Sequence, residues 1–239
     1  MSRHQKRLSA PKSWNISRKT HKFVVKSTPG PHSESQSIPL LVALRDMLKL
    51  VNSSKEMKRI LHDGSVLVDG NIVRDYRFPV GLFDVITMPK TDTSYRVLLD
   101  RKQRFMLHKV TDSGIKLYRI TGKTNVKGGA TQLNLHDGSN IISDEFSYRT
   151  SDTVLVSIPE RKVLQHFVYK PGNLALITGG AHSGELATIK EIKKVRSSMP
   201  NMVSLQSTYD FETVEDYVFV IGKNTPEMEL PDKKGDLID

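Results

Sequence analysis

Residues 53–76 read "SSKEMKRILHDGSVLVDGNIVRDY", and the spacing of apolar positions changes from helical to strand-like within them. Ser53 stands three residues before Glu56, a capping-box spacing that opens a helix. Gly64 suits the position just past a helix end, where the backbone turns left-handed. Val66 and Val68 then alternate, Asp69-Gly70 is a hairpin-turn pair, and Ile72 begins a return strand. The stretch predicts a short helix followed by a small hairpin. Within the helix, Met57, Ile60 and Leu61 share one side. Lys55, Lys58, Arg59 and His62 fall at i, i+3, i+4 and i+7 and form a second stripe. A cationic stripe is commonly only a solvated face. This one contains no acid, which suits phosphate.

Working outward, "IPLLVALRDMLKLV" at 38–51 places Leu40, Leu44, Met47 and Val51 on one helical face, with Pro39 at the first turn. A third strand is predicted at "DVITM", 84–88. Residues 38–90 thus read as two helices and a small hairpin sheet. In 91–167, "YRVLL", "IKLYRI", "TQLNL" and "TVLVSI" are short β-type runs between Gly, Asp and Asn turns. In 168–225 the dense feature is "KPGNLALITGGAHSGELATIKEI", 170–192, where Gly179, Gly180 and Gly184 fit turns between curved strands. A last strand is predicted at "DYVFVIG", 216–222, and 226–239 is an acidic, frayed tail. Residues 1–37 show no sustained period, and "TPGPHS" at 28–33 reads as a rigid bend.

The 239 residues carry a net charge of +10 and a pI of about 9.6, so a polyanionic partner is expected. Much of the excess sits at one end: residues 1–37 hold 8 Lys or Arg and 1 acid. The bland reading of that arm is a disordered tail; the functional one is an arm that orders on RNA. With 0 Cys, disulfides and thiolate metal sites are excluded and a cytoplasmic location is expected. There is no 18-residue apolar run and no secretory signal, so no membrane partner is expected.

Catalysis finds no frame. "GKT" at 122–124 lacks the glycine of a phosphate loop, because Leu117 stands there. Neither a dinucleotide glycine motif nor a nucleophile elbow occurs. No two His lie at i, i+3 or i+4, so no helical metal pair is visible. No enzyme activity, cofactor, metal or small-molecule substrate is expected.

"HQKRLSAPKSWNIS", 4–17, resembles the N-terminal signature of the archaeal and eukaryotic small-subunit ribosomal protein family S-four-e, through His4, Lys6, Arg7, Leu8, Ser9, Pro11, Trp14 and Ile16. "GPH" at 30–32, "SIPL" at 37–40 and "PVGLFDVI" at 79–86 are similar to that family's segments too. The helix-helix-hairpin unit resembles the small RNA-binding domain named after bacterial ribosomal protein S-four. "GNLALITGGAHSGELATI", 172–189, resembles a KOW motif in an SH3-like barrel, with Ala187 where glycine is usual. The resemblance runs through nearly the whole chain.

It implies an α+β, mostly β protein. The parts would be a basic arm (1–37), an S-four-like RNA-binding domain (38–90), a central β domain (91–167), a KOW barrel (168–225) and an acidic tail (226–239). It implies a structural constituent of the small ribosomal subunit, with ribosomal RNA and neighbouring ribosomal proteins as partners. An RNA-modifying accessory chain and a KOW-type transcription or translation factor are the rival classes. The expected RNA contacts are Arg3, His4, Lys6, Arg7, Lys12, Arg18, Lys19 and Lys22 in the arm; Lys55, Lys58, Arg59 and His62 on the helix; and Lys170 and His182 around the glycine-rich motif. Trp14, the sole tryptophan, is expected to stack on RNA and be buried only there. The alternative is an anchor on the protein's own domain.

Overall fold

A computed structural model describes residues 4–143 and 147–231. Its elements are mostly strands. The chain divides into two compact units: one holds the residues up to Gly114 apart from Arg101–Gln103, and the other holds those three and everything from Ile115 onward.

In the first unit, Leu40–Val42 forms α1 and Ser54–His62 forms α2. The cap of α2 is built as its sequence predicts. Ser53 Oγ accepts from the Glu56 amide at 3.2 Å, and Glu56 Oε2 accepts from the Asn52 amide at 2.9 Å. The helix stops at Gly64, whose φ of +65° is the left-handed turn that glycine adopts without strain. Met57 and Leu61 face inward and are fully buried. The expected single long helix over 38–51 is shorter. After α1 the backbone widens into a π-helical turn, Ala43–Met47, and leaves the helix at Lys49, with φ of +54°. Leu40, Leu41, Val42, Ala43 and Leu44 are all buried, so this segment is enclosed on every side rather than amphipathic.

The hairpin Leu67–Val68 and Asn71–Ile72 turns through Asp69 and Gly70, both at positive φ. It continues a five-stranded antiparallel sheet in the order 71–72, 67–68, 85–88, 93–99, 105–110. The expected boundary at 90/91 therefore cuts a sheet. Thr93–Leu99 pairs directly with Val85–Met88, and Phe105–Val110 closes the edge. Two two-residue strands hardly make a stable sheet alone, and the longer hairpin completes it.

The expected free arm is likewise part of this unit. Gln5–Lys6 (β1) and Phe23–Val24 (β2) pair as a small antiparallel ladder. Ala10, Trp14 and Val24 join Ile38, Leu41, Leu44, Val97 and Phe105 in one apolar core. The Phe105 amide donates to Ser13 O at 2.8 Å.

The second unit holds two five-stranded antiparallel sheets. One, within 115–167, has the order 140–143, 131–135, 115–125, 153–157, 163–167; the other, within 174–222, has the order 210–214, 202–206, 186–193, 174–177, 218–222. The expected division at 167/168 does not separate independent bodies. Arg119 Nη1 donates to Asp216 O at 2.6 Å, Ser151 Oγ donates to Glu215 Oε1 at 3.1 Å, and the His136 ring meets Phe219 edge-on at 5.3 Å. The frayed tail also needs correction up to Pro231. Met228 is buried, and the Glu227 amide donates to Ile221 O at 3.1 Å. The rest of the acidic tail lies outside the described residues.

Candidate nucleic-acid interface

The α2 stripe emerges as its periodicity predicts. Lys55, Lys58, Arg59 and His62 are all exposed or half-exposed, while Met57 and Leu61 on the opposite side are sealed in the core. None of the four is paired with a carboxylate among the described residues. The stripe gains neighbours that the sequence reading missed. Lys58 Nζ lies 5.2 Å from the centroid of the Tyr76 ring, and the Arg77 guanidinium lies 5.3 Å from it. Arg77 Nε also donates to Tyr76 Oη at 3.1 Å. Two cations stacked about one aromatic ring form a compact positive edge that keeps its charge accessible. The arm reaches this edge through the Thr28 amide, which donates to Arg77 O at 3.1 Å.

Within the arm the expected contacts divide. Lys6, Lys12, Lys19 and Lys22 are exposed and have no carboxylate partner among the described residues; His4 is exposed as well. Arg3 lies outside the described residues. Arg7 is corrected: only 3% exposed, it donates from Nε to Ser17 O at 2.6 Å and from Nη2 to Asp46 Oδ1 at 3.1 Å. Its charge holds the arm's own fold. Arg18 is half-buried and clasps the arm from within, donating to Ala10 O at 2.8 Å and Pro11 O at 2.9 Å.

Trp14 is corrected too. It is 2% exposed, and its indole N–H donates to Ser37 O at 2.8 Å. The ring is an internal anchor and has no face left for a base. The arm segment leaves a polar cleft of about 400 Å3 lined by Arg7, Asn15, Ile16, Ser17, Thr20, His21 and Asp46. Asp46 offsets the charge of Arg7 there.

In the second unit, Lys170 is exposed. His182 is half-buried, with Nδ1 3.0 Å from Tyr209 Oη and its ring 4.0 Å from that of Phe211. Tyr209 donates to Glu185 Oε2 at 3.0 Å, and that bond to a carboxylate raises its phenol above the usual range. Lys190 pairs with Asp210 and Lys193 with Glu212. The Lys193 ammonium in turn holds the Glu212 carboxyl below the usual range. Lys190 and Lys193 are thus met by carboxylates of the same sheet, while Lys170 stays exposed beside it. Among the described residues no cluster of His, Asp and Glu could hold a metal ion, and no helix is long and apolar enough to cross a membrane.

Residues 91–163 match the model of the ribosomal family S4e, and residues 1–35 match the RS4NT domain. The small ribosomal subunit protein eS4 of Archaeoglobus fulgidus is 52% identical over 221 residues, covering 92% of this chain and 93% of that protein. The protein of the same name from Methanocella arvoryzae is 50% identical over 224 residues, covering 93% and 95%. The crystal structure of the 30S ribosomal protein S4e from Thermoplasma acidophilum superposes with a TM-score of 0.70 at 38% identity, over 79% of this chain and 96% of that one.

Proposed function

This chain belongs to the S4e family of ribosomal proteins, and from that premise we propose that it is a structural constituent of the small ribosomal subunit that holds folded ribosomal RNA through phosphate contacts. The observation that carries the RNA reading is the α2 stripe. Four accessible cationic or titratable side chains stand in one row without a carboxylate partner among the described residues. They continue into the Lys58–Tyr76–Arg77 stack, where Lys58 lies 5.2 Å from the ring. Phosphate oxygens satisfy such a row without reading base sequence, and folded RNA supplies them in a fixed shape.

In this reading the helix pair and its hairpin sheet act as an S-four-like RNA-binding domain. The 174–222 sheet acts as a KOW-type SH3-like barrel, and Lys170 just before it and His182 in its glycine-rich turn touch RNA or a neighbouring ribosomal protein. Lys6, Lys12, Lys19 and Lys22 follow the phosphate backbone from the arm, and the protein works in the cytoplasm as part of the ribosome. The test is binding of the full chain to small-subunit ribosomal RNA over a salt series, with co-sedimentation with small subunits at high salt. Stable co-sedimentation and a steep linear loss of log K with log salt are expected. A protein that leaves the small subunit in moderate salt and binds the RNA with no salt dependence would sink the proposal.

A further inference from the structure

Burial of Trp14 leaves the arm with a different aromatic facing solvent. β1 and β2 run antiparallel with Lys6 opposite Phe23, so these two side chains leave the same face of the ladder. The alternation of a strand sends Val24 inward, where it is 8% exposed, and Phe23 outward, where it is 51% exposed. Lys22 Nζ lies 5.5 Å from the Phe23 ring centroid, and the His4 ring lies 5.8 Å from it at an interplanar angle of 46°. No acid occurs anywhere from residue 1 to residue 33. The exposed ring is therefore flanked by the ammonium groups of Lys6 and Lys22, neither of them paired with a carboxylate among the described residues.

We propose that Phe23 is a stacking platform for one unpaired nucleobase of the RNA, an inference that rests on the RNA-binding reading above. A purely apolar partner would meet the ring but leave the surrounding charge uncompensated. A nucleotide carries both complements: a flat π face for the ring and a phosphate for the ammonium groups beside it. Stacking on an aromatic side chain tolerates any base, so the platform supplies affinity and position rather than sequence choice. The small β1–β2 ladder gives it a defined place. Across it the Arg7 amide donates to Lys22 O at 3.0 Å, and Arg7 itself is fixed by Ser17 and Asp46.

The experiment uses the full chain and transcribed small-subunit ribosomal RNA. Phe23→Ala is expected to keep the parent melting temperature and to bind about five- to hundredfold more weakly, with the slope of log K against log salt unchanged, because every cation keeps its phosphate. Phe23→Trp is expected to keep parent affinity and to place a second indole at the surface. Acrylamide should reach that indole in the free protein and be shut out in the RNA complex. Parent affinity in Phe23→Ala, or an indole still open to acrylamide in the complex, overturns the platform while leaving the RNA reading intact. Shielding that arises only in the assembled small subunit and not on the RNA overturns it too, and points to a protein neighbour. Failure of the parent chain to bind the RNA sinks both readings.

Discussion

The indole N–H of Trp14 reaches 23 residues along the chain to the carbonyl oxygen of Ser37, at 2.8 Å, in a site where Ser37 is itself fully buried. That bond ties the basic arm to the strand Ser37–Pro39 that leads directly into α1. The expected outcome for the free protein is blue-shifted emission that iodide hardly quenches. Trp14→Ala should cost about 3–5 kcal/mol in a urea melt, from the cavity and the orphaned carbonyl together. Red-shifted, readily quenched emission in the absence of RNA contradicts the anchor.

Arg7 and Trp14 make the same point with opposite chemistry. Arg7→Ala removes a nearly enclosed guanidinium, and among the described residues Asp46 then keeps Arg45, at 2.8 Å, as its ion-pair partner. Loss of one partner of a buried pair typically costs about 3–5 kcal/mol, and the partial exposure of Asp46 puts this case at the lower end. Stability should fall while the salt slope of RNA binding at low temperature stays that of the parent. Lys6→Ala, at an exposed neighbour, should do the reverse. A parent melting temperature in Arg7→Ala returns that residue to the RNA-binding set.

The α2 stripe gives a prediction with two readouts. Lys58→Glu combined with Arg59→Glu changes only exposed positions, so stability should shift within about 0.5 kcal/mol per site. RNA affinity should drop, and the slope of log K against log salt should shrink by roughly 0.7–0.9 for each phosphate that the helix no longer neutralises. An unchanged slope removes this helix from the interface.

What the sequence made legible was local. The cap at Ser53 and Glu56, the stop at Gly64, the turn at Asp69-Gly70 and the cationic stripe are all set by residues within a few positions of one another. Those features appear where the spacing puts them. What was not legible depends on distant partners. Nothing in "YRVLLD" says that it hydrogen-bonds to Val85–Met88 rather than beginning a new domain. Nothing in an arm without periodicity says that two residues, Trp14 and Arg7, hold it to a core and to Asp46. Sequence charge marked Arg7 as a phosphate ligand, because an arginine bound to a carbonyl and a carboxylate looks the same in one dimension as one that waits for RNA. Phe23, an aromatic directly after Lys22 in the same acid-free stretch that holds Trp14, is the local feature on which the proposed stacking platform rests.

The glycine-rich turn before Leu186–Lys193 supplies the last prediction. Gly184 has φ of +77°, and its amide donates to Ile177 O at 2.8 Å, so a residue in the left-handed region is tied by its backbone to the end of the strand Leu174–Ile177. A Cβ there strains the backbone by about 1–2 kcal/mol, less for Asn, which visits this region, and more for a β-branched residue. Thermal melting should therefore rank Gly184→Asn above Gly184→Ala, and Gly184→Val lowest. Gly179 separates strain from crowding. A Cβ on it would sit 2.5 Å from Tyr217 Cδ1 without any positive φ, so Gly179→Ala should be rescued in part by Tyr217→Ala. Gly184→Ala should show no such rescue, since its cost lies in its own backbone. Equal melting temperatures for all three Gly184 variants would make this turn a flexible loop, and its place as a fixed corner of the sheet would fall.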